Sequence, residues 1–308
     1  MKRILLLGGY GFIGTNILSY IDQNLRDEYE IVVFDKLPSH YAGLSFDCVK
    51  KSYSGDFSDN ILIDNIFDEE NIDIVIHSIS TTVPATSFNA KYDVESNLIP
   101  TISLLDSMIK HNVYDIAYIS SGGAIYGNGV NKHKESDDVF PVSSYGVVKL
   151  SIEKYLMQYA QLYGLKPLIL RLSNPYGKFH YSMKQGVINV ALASAVNEHI
   201  FSIWGDGNSS KDYIFIDDFV DIMFLLMKSN INSSVVNIAS NQLLSVNQIV
   251  KSVKDLIPSF TWEYKDSSKL DVSRFALNNT KLLSLIGDYK FTPFEEGLSI
   301  TYNWLIKK

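Results

Sequence analysis

The chain has 308 residues, of which 46% are apolar and 20% charged, and its net charge at pH 7 is −7. This composition is near the average of soluble globular proteins and excludes a wholly disordered chain. Acidic and basic residues are interspersed, so the clustered basic surface typical of nucleic-acid-binding proteins is not expected. Cys48 is the single cysteine. It excludes an internal disulfide and favours a reducing, cytoplasmic environment.

The N-terminal sequence begins like a secretory signal, with Lys2 and Arg3 before four apolar residues. Gly8 and Gly9 end this apolar run too early, and we therefore predict no targeting segment. The other long apolar stretches, 187–196 and 219–227, are shorter than the roughly 20 residues of a transmembrane helix. We therefore expect no association with a membrane.

Short apolar strands alternate with helical segments through the first 175 residues. Near-continuous aliphatic runs predict strands buried on both faces at 3–7, 31–34, 74–77, 116–120 and 168–172. Segments of helical periodicity or length lie between them at 11–23, 60–69, 94–110 and 143–163. This alternation predicts an α/β fold, with a doubly wound parallel sheet and helices on both sides.

The alternation weakens after residue 175. A helix is predicted at 187–197, a strand at 201–204, a turn-rich segment at 205–210, and helices at 245–256 and 280–286. No repeat or flexible linker divides the chain. We therefore expect residues 176–308 to form a smaller α+β region that packs against residues 1–175, with a cleft between them and with some segments returning to the first domain.

A glycine-rich turn directly follows the first predicted strand and begins a helix. Its sequence is Gly8-Gly9-Tyr10-Gly11-Phe12-Ile13-Gly14. Glycine allows a tight turn, a close approach of the backbone to a pyrophosphate and close packing of helix on strand. The N-terminus of the helix adds free N–H groups and the positive end of a dipole. This pattern predicts a bound dinucleotide.

An acidic residue at the end of the next strand supports this prediction. Asp35 lies 21 residues after Gly14, where a carboxylate accepts hydrogen bonds from both ribose hydroxyls of NAD and repels the 2′-phosphate of NADP. The alternative is a solvated loop aspartate. Lys36 partly offsets the repulsion, so NADP stays a second possibility.

Tyr145 and Lys149 are four residues apart on the helix predicted at 143–163 and therefore share one face. An ammonium near a phenol favours the phenolate, and we expect it to lower the pKa of Tyr145 toward that of a working general acid or base. The alternative is a pair of side chains on a solvated helix face. The position between the strands at 116–120 and 168–172 favours the catalytic interpretation.

Several motifs in register resemble the extended short-chain dehydrogenase/reductase family, the NAD-dependent sugar-nucleotide epimerases and dehydratases. They are the glycine turn, 145–149, Arg171-Leu172-Ser173-Asn174-Pro175-Tyr176-Gly177, 55–56, 76–80, Asn97, 120–127, and 204–207 through 211–214. The resemblance covers nearly the whole chain. It implies a Rossmann-type fold, bound NAD, a nucleotide-sugar substrate, a homodimer that joins 94–110 and 143–163 of two copies, and work in surface polysaccharide synthesis.

The resemblance also implies roles for individual residues. Tyr145 would exchange a proton with a sugar hydroxyl, and Lys149 would hold the nicotinamide ribose. Residues expected around the cofactor are Gly8, Gly11, Phe12, Ile13, Gly14, Asp35, Lys36, Asp56, Phe57, Ser78, Ile79, Ser80, Asn97, Ser120, Tyr145 and Lys149. Residues expected around the substrate are Thr82, Gly122, Asn174, Lys211 and Phe275. Lys211 stands where the family often has an arginine against the diphosphate, and a lysine keeps the charge but loses the two parallel hydrogen bonds of a guanidinium. The bulky side chain of Phe275 would restrict an N-acetyl substituent of the sugar, or would have only an ordinary packing role.

The sequence departs from the family at Gly122. The family usually has a serine or threonine here, five residues before Gly127, to bond the reacting sugar oxygen. The replacement is left open: Ser121, Ser120, Thr81, Thr82, a backbone N–H or a water. Dehydratases of the family follow that hydroxyl with Asp-Glu, whereas Gly123 and Ala124 cannot move a proton. We therefore expect no 4,6-dehydratase activity.

The six histidines (His40, His77, His111, His133, His180 and His199) show no ligand spacing, and we predict no metal.

Three hypotheses for the function follow from the resemblance. The first is a sugar-nucleotide 4-epimerase. The second is an NAD(P)H-dependent reductase of a nucleotide-linked 4-keto-6-deoxy sugar, and the third is a cofactor-binding protein without activity. The nucleotide, whether UDP, dTDP, GDP or CDP, and the sugar stay open.

Overall fold

The computed structural model describes residues 1–36, 45–84, 86–127, 132–182, 185–229, 231, 233–266 and 274–307. A seven-stranded sheet forms its centre, and each pairing in that sheet is parallel. With strands numbered along the whole chain, its members are β1 (Lys2–Leu7), β2 (Tyr29–Asp35), β3 (Val49–Ser54), β4 (Ile74–His77), β5 (Asp115–Ser121), β6 (Lys166–Leu172) and β10 (Ser234–Ile238).

The order across the sheet is β10-β6-β5-β4-β1-β2-β3. The chain therefore runs in one direction from β1 to β3 and in the other from β1 through β4 to β6. Such a reversal leaves a crevice at the carboxyl ends of β1 and β4, where doubly wound sheets bind their ligands. The predicted α/β fold with a doubly wound parallel sheet is confirmed.

Helices cover both faces of this sheet and also pack in the C-terminal region. They are α1 (Phe12–Asn24), α2 (Asn60–Glu69), α3 (Ala90–Asp93), α4 (Ile99–Lys110), α5 (Gly122–Ile125), α6 (Ser144–Tyr163), α7 (Val187–Val196), α8 (Ile216–Lys228), α9 (Val246–Leu256), α10 (Thr280–Ile286) and α11 (Phe294–Leu305). A π-helical segment, Val94–Leu98, joins α3 to α4.

Alternation of side chains along the strands builds two cores. In β1, Ile4 and Leu6 face the layer of α1 and α8, whereas Leu5 and Leu7 face the layer of α2, α4 and α6. All four are fully buried. Because both faces are covered, residues 4–7 form an unbroken aliphatic run, which is the feature that made this strand recognisable in the sequence.

The C-terminal region adds two small sheets. One contains β7 (Asn174–Tyr176), β9 (Ser210–Phe215), β11 (Gln242–Ser245) and β13 (Arg274–Phe275), and the other pairs β8 (Phe201–Trp204) with β12 (Trp262–Lys265). Helices α7, α9 and α11 pack together beside them. The division at residue 175 stays a prediction, and β10 is a segment from beyond it that pairs with β6 in the central sheet.

Several elements were not predicted. Strand β3 has the sequence VKKSYS, which lacks an apolar run because it lies at the sheet edge. The apolar stretch 219–227 belongs to α8, most of whose side chains are buried. The predicted helix 94–110 begins with the π-helical segment, and β9, β10 and α11 were missed altogether. No helix in the described part of the chain is long and apolar enough to cross a membrane.

Candidate active site

The glycine turn lies between β1 and α1, at the crevice. Gly8 has a φ of +82°, which glycine adopts without strain. A Cβ atom on Gly14 would lie 2.1 Å from the Gly8 carbonyl oxygen, so only glycine fits there. Gly11 is the N-cap of α1 and supplies no side-chain cap. The N-terminal N–H groups of α1 are therefore left for an anion, and the turn fits a dinucleotide pyrophosphate.

Asp35 ends β2 beside this turn, where one carboxylate oxygen accepts a hydrogen bond from the Tyr10 N–H (2.9 Å). The charge of Lys36 is already compensated by another carboxylate, because its ammonium forms an ion pair with Asp56 at 2.7 Å. That contact, with hydrogen bonds from Ser58, lowers the pKa of Asp56 to about 2. The offset of the Asp35 charge by Lys36 is thereby weakened, which favours NAD over NADP.

Phe57 and His77 lie under the cofactor side of the sheet. Phe57 is buried in the core, with its ring centroid 5.2 Å from that of His77. The His77 ring bonds Thr101 Oγ1 through Nε2 (3.0 Å), and burial lowers its pKa to about 3. His77 is therefore a neutral core residue, and Phe57 supports the cofactor side of the sheet.

A small cavity lies at the carboxyl end of β4. It is lined by His77, Ile79, Ser80, Thr82, Asn97, Tyr145, Val148, Lys149 and Ile152. Asn97 comes from the π-helical segment, and its side chain bonds both the N–H (2.9 Å) and the hydroxyl (2.6 Å) of Thr81. The cavity thus brings together predicted residues from three distant parts of the sequence, and Asn97 serves there as an anchor of the loop after β4.

Tyr145 and Lys149 lie in the first turns of α6, which begins at the N-cap Ser143. The Tyr145 N–H donates to Ser87 Oγ (2.8 Å), and Ser87 in turn donates to the buried Asp93 (2.5 Å). These bonds fix the start of the helix. The Lys149 ammonium lies 5.8 Å from the centroid of the Tyr145 ring and donates to the Ile119 carbonyl (2.9 Å).

The pKa of Tyr145 differs from the lowered value that the sequence predicted. Burial raises the pKa of Tyr145, and the nearby hydroxyls of Ser121 and Ser80 oppose that rise. Burial lowers the pKa of Lys149 to about 8, while Glu153 opposes the change. The expected lowering of the Tyr145 pKa is not found in the protein without ligands, because burial is the largest effect on the phenol and exceeds the opposing effects of Ser121 and Ser80.

Gly122 begins α5, and its position is closed to a larger side chain. A Cβ atom there would lie 2.7 Å from Cδ1 of Leu277, a fully buried residue. Ser121 reaches the Tyr145 phenol, whereas Ser120 is buried and donates to Glu153 Oε1 (2.6 Å). The hydroxyl of Ser120 therefore points into the core in this structure, and its role beside the cofactor stays a prediction.

Comparison with known proteins now decides the family. Residues 4–239 match the model of the NAD dependent epimerase/dehydratase family. The chain belongs to this family. It is 30% identical over 98% of both chains to a putative UDP-glucose 4-epimerase of Methanocaldococcus jannaschii. It is also similar to a solved UDP-glucose 4-epimerase of Thermotoga maritima with UDP-glucose, at 30% identity and a TM-score of 0.91 over 99% of both chains.

Relatives with other activities are also similar. The dTDP-4-dehydro-6-deoxyglucose reductase of Escherichia coli is 29% identical over 82% of this chain and 80% of its own length. The dTDP-D-glucose 4,6-dehydratase of Mus musculus is 27% identical over 99% of this chain and 89% of its own length. Membership of the epimerase/dehydratase family establishes NAD as the cofactor, and it does not separate these reactions.

A buried polar network behind the cavity was not predicted. Arg171 and Glu153 form an ion pair at 2.7 Å, with side chains 6% and 3% exposed. Arg171 also donates to the Tyr126 hydroxyl (2.7 Å), which donates to Asn237 Oδ1 (3.0 Å). The available signal was that Glu153 lies four residues after Lys149 on α6. The network ties α6 to β6 and β10.

Three of the predicted substrate residues, Asn174, Lys211 and Phe275, lie in strands of the small C-terminal sheet, whereas Thr82 lines the cavity and Gly122 begins α5. Asn174 Nδ2 donates to the Asp212 carbonyl (2.8 Å), and Lys211 pairs in register with Phe275. Phe275 is buried against Gly123, stacked near His133, and so has a packing role in this structure. Asp212 is fully buried, which raises the pKa of its carboxyl to about 7.

One group of possible metal ligands exists among the described residues, at Asp64, Asp68 and His111. Asp64 already bonds Lys110 (2.5 Å) and His111 (3.0 Å), so its charge is neutralised by protein groups. His40 lies outside the described residues. The absence of a metal stays a prediction.

Proposed function

We propose that the protein is an NAD-dependent sugar-nucleotide 4-epimerase that works through a transient 4-keto sugar. One observation carries the proposal: Tyr145 and Lys149 line one cavity at the carboxyl end of β4, beside a glycine turn that fits a dinucleotide. When bound, NAD accepts a hydride from the sugar carbon and can return it. The residues that would hold it are the glycine turn, Asp35 and Lys149.

The chain's own groups supply the proton chemistry. Tyr145 takes the proton of the sugar hydroxyl as its carbon is oxidised and gives it back when the carbon is reduced. With a pKa of about 8, Lys149 is mainly charged at pH 7 and favours the phenolate. Its bond to the Ile119 carbonyl uses one of three ammonium hydrogens, which leaves two for the ribose and the phenol.

Two observations distinguish this reaction from its relatives. Gly123 and Ala124 supply no acid or base for the elimination of water, so we propose that 4,6-dehydration is not catalysed, although dehydratases are among the similar proteins. Similarity to a keto-sugar reductase keeps single-step reduction as the alternative. Asp35, with Lys36 paired to Asp56, favours NAD retained for a redox-neutral cycle.

The test is to measure nucleotide bound to the purified protein and then to add UDP-glucose without cofactor. Co-purified NAD and formation of the galactose isomer are the expected results, and Tyr145→Phe should abolish turnover while it keeps bound NAD. Stoichiometric NADH oxidation with a dTDP-4-keto-6-deoxy sugar, without isomerisation of any sugar nucleotide, would instead establish the reductase. Release of a 4-keto-6-deoxy product would establish the dehydratase.

We also infer that two copies associate through α4 and α6, which pack side by side through Tyr159 and Asp106 (2.5 Å). Val147, Tyr155 and Leu162 are exposed on α6, within about 80° around the helix axis. Ile99 adds exposed apolar surface at the start of α4. Light scattering should give a dimer, and Leu162→Glu should give a monomer.

A further inference from the structure

The position that carries the usual catalytic hydroxyl in this family cannot carry one here. A side chain at Gly122 would collide with both Cδ1 (2.7 Å) and Cδ2 (2.9 Å) of Leu277. Leu277 is fully buried, so its side chain would have to repack to make room for a side chain at Gly122. Gly122 itself has no hydroxyl, and in this chain a hydroxyl has to come from another residue.

Two serines converge on Tyr145 from neighbouring strands. His77 of β4 pairs in register with Tyr118 of β5, and Ser80 and Ser121 each lie three residues further along their chains. Parallel strands end at the same edge, so the two serines emerge side by side. Ser80 lines one cavity with Tyr145 and Lys149. Both serines are close enough to the phenol of Tyr145 to lower its pKa against the effect of burial.

The hydrogen bonds of Ser80 suit it to respond to the charge of that phenol. Its hydroxyl donates its single hydrogen to the Thr82 carbonyl (2.8 Å), which leaves lone pairs to accept from a neutral phenol. A phenolate cannot donate and needs donors. The Ser80 hydroxyl can then turn its hydrogen from the Thr82 carbonyl to the charged oxygen.

We propose that Ser80 is a second hydroxyl of the proton-transfer site and acts with Ser121 in place of the hydroxyl missing at Gly122. The proposal rests on the proposed 4-epimerase function. In the oxidation step the sugar O–H bond breaks and the proton moves to the Tyr145 oxygen, while the hydride leaves the carbon for NAD. Ser80 gains and loses no proton, and it stabilises the phenolate before the transfer.

The test compares Ser80→Ala, Ser121→Ala and the double variant with Ser299→Ala, which loses an exposed helix hydroxyl bonded to its own helix. Each single variant should lower kcat about 10- to 100-fold with little change in KM, and the double variant should lose more. Ser80→Thr, which keeps the hydroxyl, should restore much of kcat.

A readout independent of turnover is the ionisation of Tyr145. In protein labelled with ¹³C at the tyrosine ζ carbon, Tyr145→Phe identifies the signal, and Ser80→Ala should raise the pKa by about one to two units. If Ser80→Ala does not fold, Ser80→Cys, a weak donor of similar shape, should give a shift in the same direction.

The outcomes separate the two proposals. A normal kcat together with an unshifted Tyr145 titration in Ser80→Ala would overturn the role of Ser80. If the wild-type protein isomerises no sugar nucleotide, the proposed function fails, and the titration still decides whether Ser80 stabilises the phenolate.

Discussion

Removal of the Glu153 charge tests whether the buried network holds α6. Glu153→Gln keeps the shape of the side chain and leaves Arg171 as an uncompensated charge, 6% exposed, in the core. Loss of one partner of a buried pair costs about 3–5 kcal/mol of unfolding free energy. For a chain of 308 residues the expected fall in Tm is about 5–8 °C.

Thermal unfolding by circular dichroism, at one protein and one NAD concentration, measures this loss. Glu263→Gln is the matched control, because its ion pair with Lys265 is half exposed and should contribute little to stability. Glu153→Met combined with Arg171→Met removes both charges and should be more stable than Glu153→Gln alone. A Tm of Glu153→Gln equal to that of Glu263→Gln would refute this reasoning.

The same change has a consequence for the pH profile. Glu153 raises the pKa of Lys149 against the effect of burial, so Glu153→Gln should lower it below about 8. If the charged ammonium is the active form, the alkaline limb of the kcat profile should move to lower pH. An unmoved or upward-shifted limb, measured on the folded variant, would show that Glu153 does not control the charge of Lys149.

Three further changes have definite expected results. Gly14→Ala places a methyl group 2.1 Å from the Gly8 carbonyl oxygen and should weaken NAD binding about 100-fold, as measured by calorimetry. Gly122→Ser should cost about 1–3 kcal/mol of unfolding free energy because it overpacks against Leu277. Since Asp212 has a pKa of about 7 when folded and near 3.8 when unfolded, the folded state holds a proton that the unfolded chain has lost between these values. Stability should therefore fall by about 3–5 kcal/mol as pH rises through this window, and Asp212→Asn should flatten the fall in urea unfolding.

Each of these has a control and a refuting result. Gly164→Ala, at the far end of α6 from the glycine turn, meets no atom within 4 Å; its φ of +76° should cost some folding stability but leave NAD affinity unchanged. Gly123→Ser meets Phe275 only at ordinary contact distance and should be better tolerated than Gly122→Ser. Asp255→Asn, at an exposed position, should keep the wild-type pH dependence. Equal behaviour of variant and control would contradict the corresponding prediction.

The central fold could be predicted because its strands are buried on both faces. β1 contains an unbroken aliphatic run at 4–7 and β4 one at 74–76, and such runs are visible without any structure. β3 could not be found in the same way, because an edge strand with polar side chains has no hydrophobic pattern. The π-helical turn before α4 also has no sequence signal of its own, since it differs from an α-helix only in hydrogen bonding.

In the candidate site, too, local contacts could be predicted from the sequence and tertiary contacts could not. Tyr145 and Lys149 share a helix face, so their spacing predicted their proximity. Ser80 and Ser121 meet only because β4 and β5 are neighbours in register, and Leu277 closes the position of Gly122 from 155 residues away in the chain. Such contacts depend on tertiary packing, and a single sequence does not report them.

The return of β10 to the central sheet means that the chain cannot be cut into an independent cofactor-binding half and a substrate-binding half. A fragment that ends at residue 175 would leave β6 as an open edge with the sequence KPLILRL and a row of unpaired backbone groups. Exposed apolar edges of this kind recruit other strands and aggregate. The fragment would also lose Asn237, which fixes Tyr126 behind the cavity. The substrate-binding region is therefore part of the folding unit that builds the cofactor site, and domain exchange between relatives would need its crossover points outside residues 166–238.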